Sequence, residues 1–241
     1  MGCFSPSSVT TISRPKLFHE MSEEEKEKIK KKLEERDKNI EDKLENPKTS
    51  YKNFNRDDME KKLPVGKTKE ERTERLKLWE NLNESVDSYM SYNRLNVQLT
   101  NYLDLPQILR NKGPVKLAFD AASDKYLRNG IRKEDNLIEW IEFRIFLVYL
   151  RQYFDYWFEL QKVDDSGEHK ISLDEFKNAI PLMNKYGLEI KDYEAEKEFN
   201  NLKGGDEDTI SFEEFCEFAI QKSIELDDDD NFDDEELQNL K

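Results

Sequence analysis

A six-residue phrase occurs twice in this chain, as Ile171-Ser172-Leu173-Asp174-Glu175-Phe176 and as Ile210-Ser211-Phe212-Glu213-Glu214-Phe215, 39 residues apart. In both copies a β-branched residue stands four places before a glutamate. This is the second half of a calcium-binding loop, in which the branched residue pairs with its twin in a neighbouring loop and the glutamate closes the ion's shell with both oxygens. Fainter echoes lie upstream, at Ile138-Glu139-Trp140-Ile141-Glu142-Phe143 and Met90-Ser91-Tyr92-Asn93-Arg94-Leu95. Each spacing accommodates one helix–loop–helix unit. The pattern predicts an all-α chain of four such units, which bury their apolar faces by associating in two pairs.

Composition narrows the class. Of 241 residues, 36% are hydrophobic and 39% charged, too lean for one large core and suited to small helical modules with solvated segments. The net charge of −15 argues against nucleic acid and against a purely electrostatic hold on anionic lipid. From Glu225 to Glu236 there are nine acids and no base, which reads as a solvated acidic tail, 225–241. The two cysteines, Cys3 and Cys216, are too far apart in the plan of the chain to suggest a structural disulfide, which fits a reducing compartment. No apolar run approaches the length of a spanning helix, and no secretory h-region follows the start.

Residues 1–67 read as an extension: a flexible lead over 1–20, a charged helix over about 22–46, and a polar linker over 47–67. Ser22 and Glu25 form a capping-box signature that opens the helix, and Pro47 stops it. Its apolar stripe, Ile29, Leu33, Ile40 and Leu44, is narrow, so the helix is expected to be solvated or loosely docked. The run Lys30-Lys31-Lys32 sits beside four glutamates and reads as a mixed-charge face. Gly66-Lys67-Thr68 lacks the upstream glycine and strand of a phosphate loop, with Lys61 in the glycine's place. Residues 68–150 and 151–224 form the predicted pairs. Between Leu137 and Val163 the chain is dense in aromatics, which predicts a long helix, apolar nearly all round and therefore buried.

A twelve-residue calcium loop takes ligands at positions 1, 3, 5, 7, 9 and 12, with glycine at 6 for a left-handed turn. The third unit offers Asp164, Ser166, Glu168, the Lys170 carbonyl, Ser172 and Glu175, a set of hard oxygens suited to calcium. His169 stands at position 6 and must adopt positive φ, at a cost of about 1–2 kcal/mol. The fourth unit keeps Glu207, Ser211 and Glu214 but begins with Lys203, whose ammonium would repel an ion, and has Gly205 at position 3 and Asp208 at 6. It reads as a structural hand. The first unit, Asn83 to Arg94, ends in arginine where the bidentate glutamate belongs. The second has Ile131 at position 1, counting back from Glu142, and also reads as structural.

With these residues in place, the chain resembles the calflagin group of protist flagellar calcium-binding proteins, within the EF-hand superfamily. The resemblance runs over most of residues 70–231. It is most specific from Ile138 to Ile180, through Glu142-Phe143-Arg144, the aromatic run and Asp164-x-Ser166-Gly167. It implies four EF-hands, calcium in the third and fourth, two degenerate hands, and a third loop that lacks glycine at position 6. The chain departs from the family at Lys203 and Gly205. The family is also acylated at the N-terminus and associates with the flagellar membrane. Met1-Gly2-Cys3 is the start expected for myristate on Gly2 and palmitate on Cys3, although Pro6 replaces the usual Ser or Thr.

Two functional readings follow. One is a calcium sensor tethered through acyl chains to the cytoplasmic face of a ciliary or flagellar membrane, changing its helix exposure for a target protein still to be identified. The other is a structural protein of the axoneme or cytoskeleton whose degenerate hands are packing modules. An enzyme has little support, since the only histidines are His19 and His169 and no phosphate-binding loop exists.

Overall fold

The computed structural model describes residues 18–38, 40–45, 54–83, 89–128, 136–203 and 208–226. Gly2, Cys3, Gly205, Glu207 and the acidic tail beyond residue 226 lie outside them.

Helix α1 (Glu23–Arg36) begins as predicted, with the Ser22 side chain accepting from the Glu25 N–H and Glu25 reaching back to the Ser22 N–H. It ends ten residues earlier than the sequence reading, at Arg36. There the chain turns at Asp37, and Ile40 is carried inward to 2% exposure. The segment is also docked more firmly than its thin stripe suggested. Phe18 and Leu33 are buried with Tyr89 and Leu137, and Met21 and Ile29 pack against them. The lead read as flexible thus contributes a core residue, Phe18.

A second difference lies in the stretch read as a linker. Asn55 caps a short helix, α2 (Arg56–Lys62), through a hydrogen bond from the Asp58 N–H, and Phe54, Met59 and Leu63 are buried. It is followed by α3 (Lys69–Asn83), β1 (Tyr89–Ser91), α4 (Tyr92–Leu103), α5 (Gln107–Lys112) and α6 (Pro114–Arg128). Then come β2 (Leu137–Glu139), α7 (Trp140–Val163), β3 (Lys170–Ser172), α8 (Leu173–Met183), α9 (Ala195–Leu202), β4 (Thr209–Ser211) and α10 (Phe212–Leu226).

The strands form two antiparallel pairs. β3 meets β4 with Ile171 opposite Ile210, and β1 meets β2 with Met90 opposite Ile138. These are the twin positions of the repeated phrase. All four are at most 1% exposed, so each short ladder is fixed by an apolar pair at its centre.

Helix α7 organises the interior. Its 24 residues span about 36 Å. Phe143, Phe146, Tyr149, Tyr153, Phe154, Tyr156 and Trp157 are all buried along it, as the aromatic density predicted. It packs on α6, α8, α10, α2 and α3, so one continuous apolar cluster runs from Phe54 to Ile220. Cys216 sits inside it as a free thiol, its pKa pushed well up by burial. Among the described residues no helix is long and apolar enough to cross a membrane.

Candidate metal centre

The third loop joins the end of α7 to the start of α8. Asp164, at its first position, is the C-cap of α7 and its side chain is 2% exposed. One carboxylate oxygen accepts the Gly167 N–H and the Ser166 hydroxyl, both at 2.8 Å; the other accepts the His169 N–H at 2.9 Å. Burial alone would raise this carboxyl's pKa, but the Ser166 hydroxyl and the two N–H groups outweigh it and hold it below its ordinary value. Asp164 is therefore anionic and the loop's turns are wound around it.

Those turns require left-handed backbone at two places. Gly167 supplies φ +71° without strain, and His169 supplies φ +56° as its position demanded. The imidazole offsets its strain by stacking on Trp157 with centroids 5.2 Å apart and by an edge contact with Phe212 at the same distance. The sixth position of this loop is thus a half-buried aromatic peg set against the core.

The closing glutamate serves two structures. Glu175 is the third residue of α8, and its Oε2 accepts the Ser172 N–H at 2.8 Å and the Ser172 hydroxyl at 2.7 Å, while Oε1 accepts the Asp165 N–H at 3.3 Å. The Ser-x-x-Glu spacing is thus a capping box as well as a pair of ligand positions. Glu168 is exposed, and its N–H donates to the Ser166 hydroxyl at 3.1 Å. Among the described residues no three His, Cys, Asp or Glu side chains are gathered tightly enough to form a metal cluster. The donor set nevertheless fits a hard cation. Asp164 and Glu175 are joined through the loop backbone, Ser166 and Ser172 lie against them, and every candidate ligand atom is oxygen.

The other loops differ in chemistry. In the fourth, Glu214 repeats the cap, accepting the Ser211 N–H at 2.7 Å, but the Lys203 ammonium lies 3.1 Å from Asp208, so the loop holds a cation of its own. In the second, Glu142 accepts the Glu139 N–H at 2.7 Å and is 3% exposed. In the first, Arg94 fills the last position at 2% exposure. Its Nε donates to Asp37 at 3.0 Å and one terminal nitrogen reaches the Asn83 carbonyl at 3.5 Å. Ser91 also hydrogen-bonds Asp37. In the sequence Arg94 is only a lost ligand, and its counter-ion is not legible there, because Asp37 comes from the N-terminal helix segment, outside every loop.

Helix–loop–helix units whose loops pair through central apolar residues, with a carboxylate-wound twelve-residue loop between α7 and α8, have the geometry of EF-hands. Comparison with known proteins agrees. A family model described as the FCaBP EF-hand domain matches residues 59–150. The flagellar calcium-binding protein TB-1.7G of Trypanosoma brucei brucei is 32% identical over 123 residues, 48% of this chain and 52% of the relative. TB-24 of the same organism is 32% identical over 114 residues, 46% of this chain and 50% of the relative. The flagellar calcium-binding protein of Trypanosoma cruzi is 24% identical over 168 residues, 69% of this chain and 79% of the relative. The chain spans about half the length of the first two of these relatives. Over these stretches the chain is similar to flagellar calcium-binding proteins and to their EF-hand domain. The matched domain lies over the first two loops and ends before the third.

Proposed function

We propose that this is a non-enzymatic calcium-binding protein of four EF-hand units in two pairs, with its calcium site in the third loop. The observation that carries this is the carboxylate of Asp164. It is buried, anionic and wrapped by the N–H groups of Gly167 and His169, on a loop whose apolar frame is Ile171 against Ile210. Calcium would be held by Asp164, Ser166, Glu168, Ser172 and Glu175 side chains and the Lys170 carbonyl. When bound it supplies charge neutralisation and a rigid oxygen-coordinated centre. Glu175 belongs to α8 and Asp164 caps α7, so drawing the two together changes the angle between those helices, the basis of a sensor.

The relatives' names carry the word flagellar, which supports a place for this chain in a flagellum or cilium. The Gly2-Cys3 start supports a membrane tether there, on the cytoplasmic face, by two acyl chains, since one alone holds only marginally. The partner would be a target protein that recognises the reoriented helices. Metabolic labelling with myristate and palmitate analogues tests the tether: wild type is labelled by both, Gly2→Ala by neither. Calcium titration tests the site, with loss of binding in Glu175→Gln as the expected result.

A further inference from the structure

The segment around α2 packs against the third helix–loop–helix unit from outside. Phe54 lies on Phe154 and Phe158 of α7, with centroids 5.5 and 5.3 Å apart. Two residues on, the Arg56 guanidinium meets Asp155 at 3.2 Å and Glu159 at 2.7 Å, donates to the Asp155 carbonyl at 3.1 Å, and stands over the rings of both Phe158 and Tyr186. Tyr186 in turn donates to Glu159 at 3.1 Å and edges onto Tyr156. Glu60 adds a pair with Arg151 at 3.2 Å, and Met59 and Leu63 are buried beneath.

The position of this contact matters more than its size. Asp155, Phe158 and Glu159 belong to the last turns of α7, which enters the third loop. Tyr186 follows the far end of α8, which leaves it. Arg56 therefore spans the two arms of one helix–loop–helix unit from outside. It fits the conformation in which Glu175 is hydrogen-bonded to Ser172 and Asp165; gathering Glu175 with Asp164 and Glu168 around a cation would take those oxygens away and would shift α8 against α7.

We propose that the strip Phe154, Asp155, Phe158, Glu159 and Tyr186 is a docking surface for an amphipathic segment carrying an aromatic residue two places before an arginine. Residues 54–63 occupy it in cis, and cation binding at 164–175 weakens that occupancy. The proposal rests on the reading of the third loop as a calcium site. Coupling of this kind is reciprocal: if calcium loosens α2, then removing α2's anchors tightens calcium by up to the same factor.

The test uses the full chain with calcium alone as ligand. Phe54→Ala/Arg56→Ala is expected to bind calcium about tenfold more tightly than wild type. A synthetic peptide of residues 52–64 added to this variant should return the affinity toward wild type. Independently, in the wild type, amide hydrogen exchange over 56–62 should quicken on adding calcium, which needs no variant to fold. Calcium heat in the wild type with equal affinity in the variant, or α2 amides equally protected with and without calcium, overturns the coupling alone. No calcium heat in either protein defeats the calcium reading and the coupling with it.

Discussion

The loops 83–94 and 164–175 share one design and solve one electrostatic problem in opposite ways. The third gathers acid around a backbone cradle and leaves the positive charge to be brought from outside. The first carries its own: Arg94 at the last position is buried and neutralised by Asp37, a carboxylate borrowed from the segment after α1. A loop that supplies its own cation has no need of calcium and becomes a fixed joint that ties the N-terminal segment to the β1–β2 pair. The fourth loop lies between these cases, with Lys203 facing an Asp208 that remains in solvent. On the reading proposed above, one repeat yields a calcium site and a closed joint, with Asp164 against Asn83 at the first position and Glu175 against Arg94 at the last.

The largest effect that can break this comparison comes from the first loop. Arg94→Ala leaves the Asp37 carboxylate, 8% exposed, with only the longer Arg36 contact at 3.8 Å. It should destabilise the protein by about 3 kcal/mol, read as a lower denaturation midpoint. Replacing both partners, as Asp37→Leu/Arg94→Met, should recover most of that loss. If the single variant is as stable as wild type, the pair is not what seals the loop.

A smaller effect sharpens the third loop. His169 pairs a strained backbone with a favourable stack, and two substitutions separate these. Both His169→Ala and His169→Gly lose the contacts with Trp157 and Phe212, but only alanine keeps the left-handed cost. The glycine variant should therefore be more stable than the alanine variant by about 1 kcal/mol, in paired denaturation curves. Equal stability would mean that the turn is not strained.

The smallest effect is in acid. Asp164's folded pKa lies below its ordinary value, so it contributes stability that is present above that value, near 3.8, and lost as pH falls through the lower folded one. Asp164→Asn should flatten the acid limb of the stability curve below about pH 4 and leave its shape near neutrality unchanged. An acid limb as steep as in wild type would show that Asp164 is not the anionic centre of the loop.

What was legible in the sequence was local. The Ile171–Ile210 and Met90–Ile138 pairings follow from register within a repeated phrase, and the positive φ of His169 follows from its place in a loop. The continuous helix over the aromatic run follows from density alone. What stayed hidden was distant. Arg94 and Asp37 are 57 residues apart, and Arg56 donates to the Asp155 carbonyl across 99. A single ion pair leaves no periodic trace at either end. Phe54 and Leu63 flank, and Met59 lies within, a helix of seven residues, too short to show an amphipathic period, so the stretch reads as linker.

The central claim, that the loop wound on Asp164 takes calcium while the Arg94 loop never does, is tested most directly by calorimetric calcium titration of wild type beside Glu175→Gln. The account predicts binding in wild type that is weakened at least about 100-fold in the variant, with no heat left to assign to residues 83–94. Wild-type and variant isotherms that coincide would contradict it, because the ion would then be held somewhere other than the third loop.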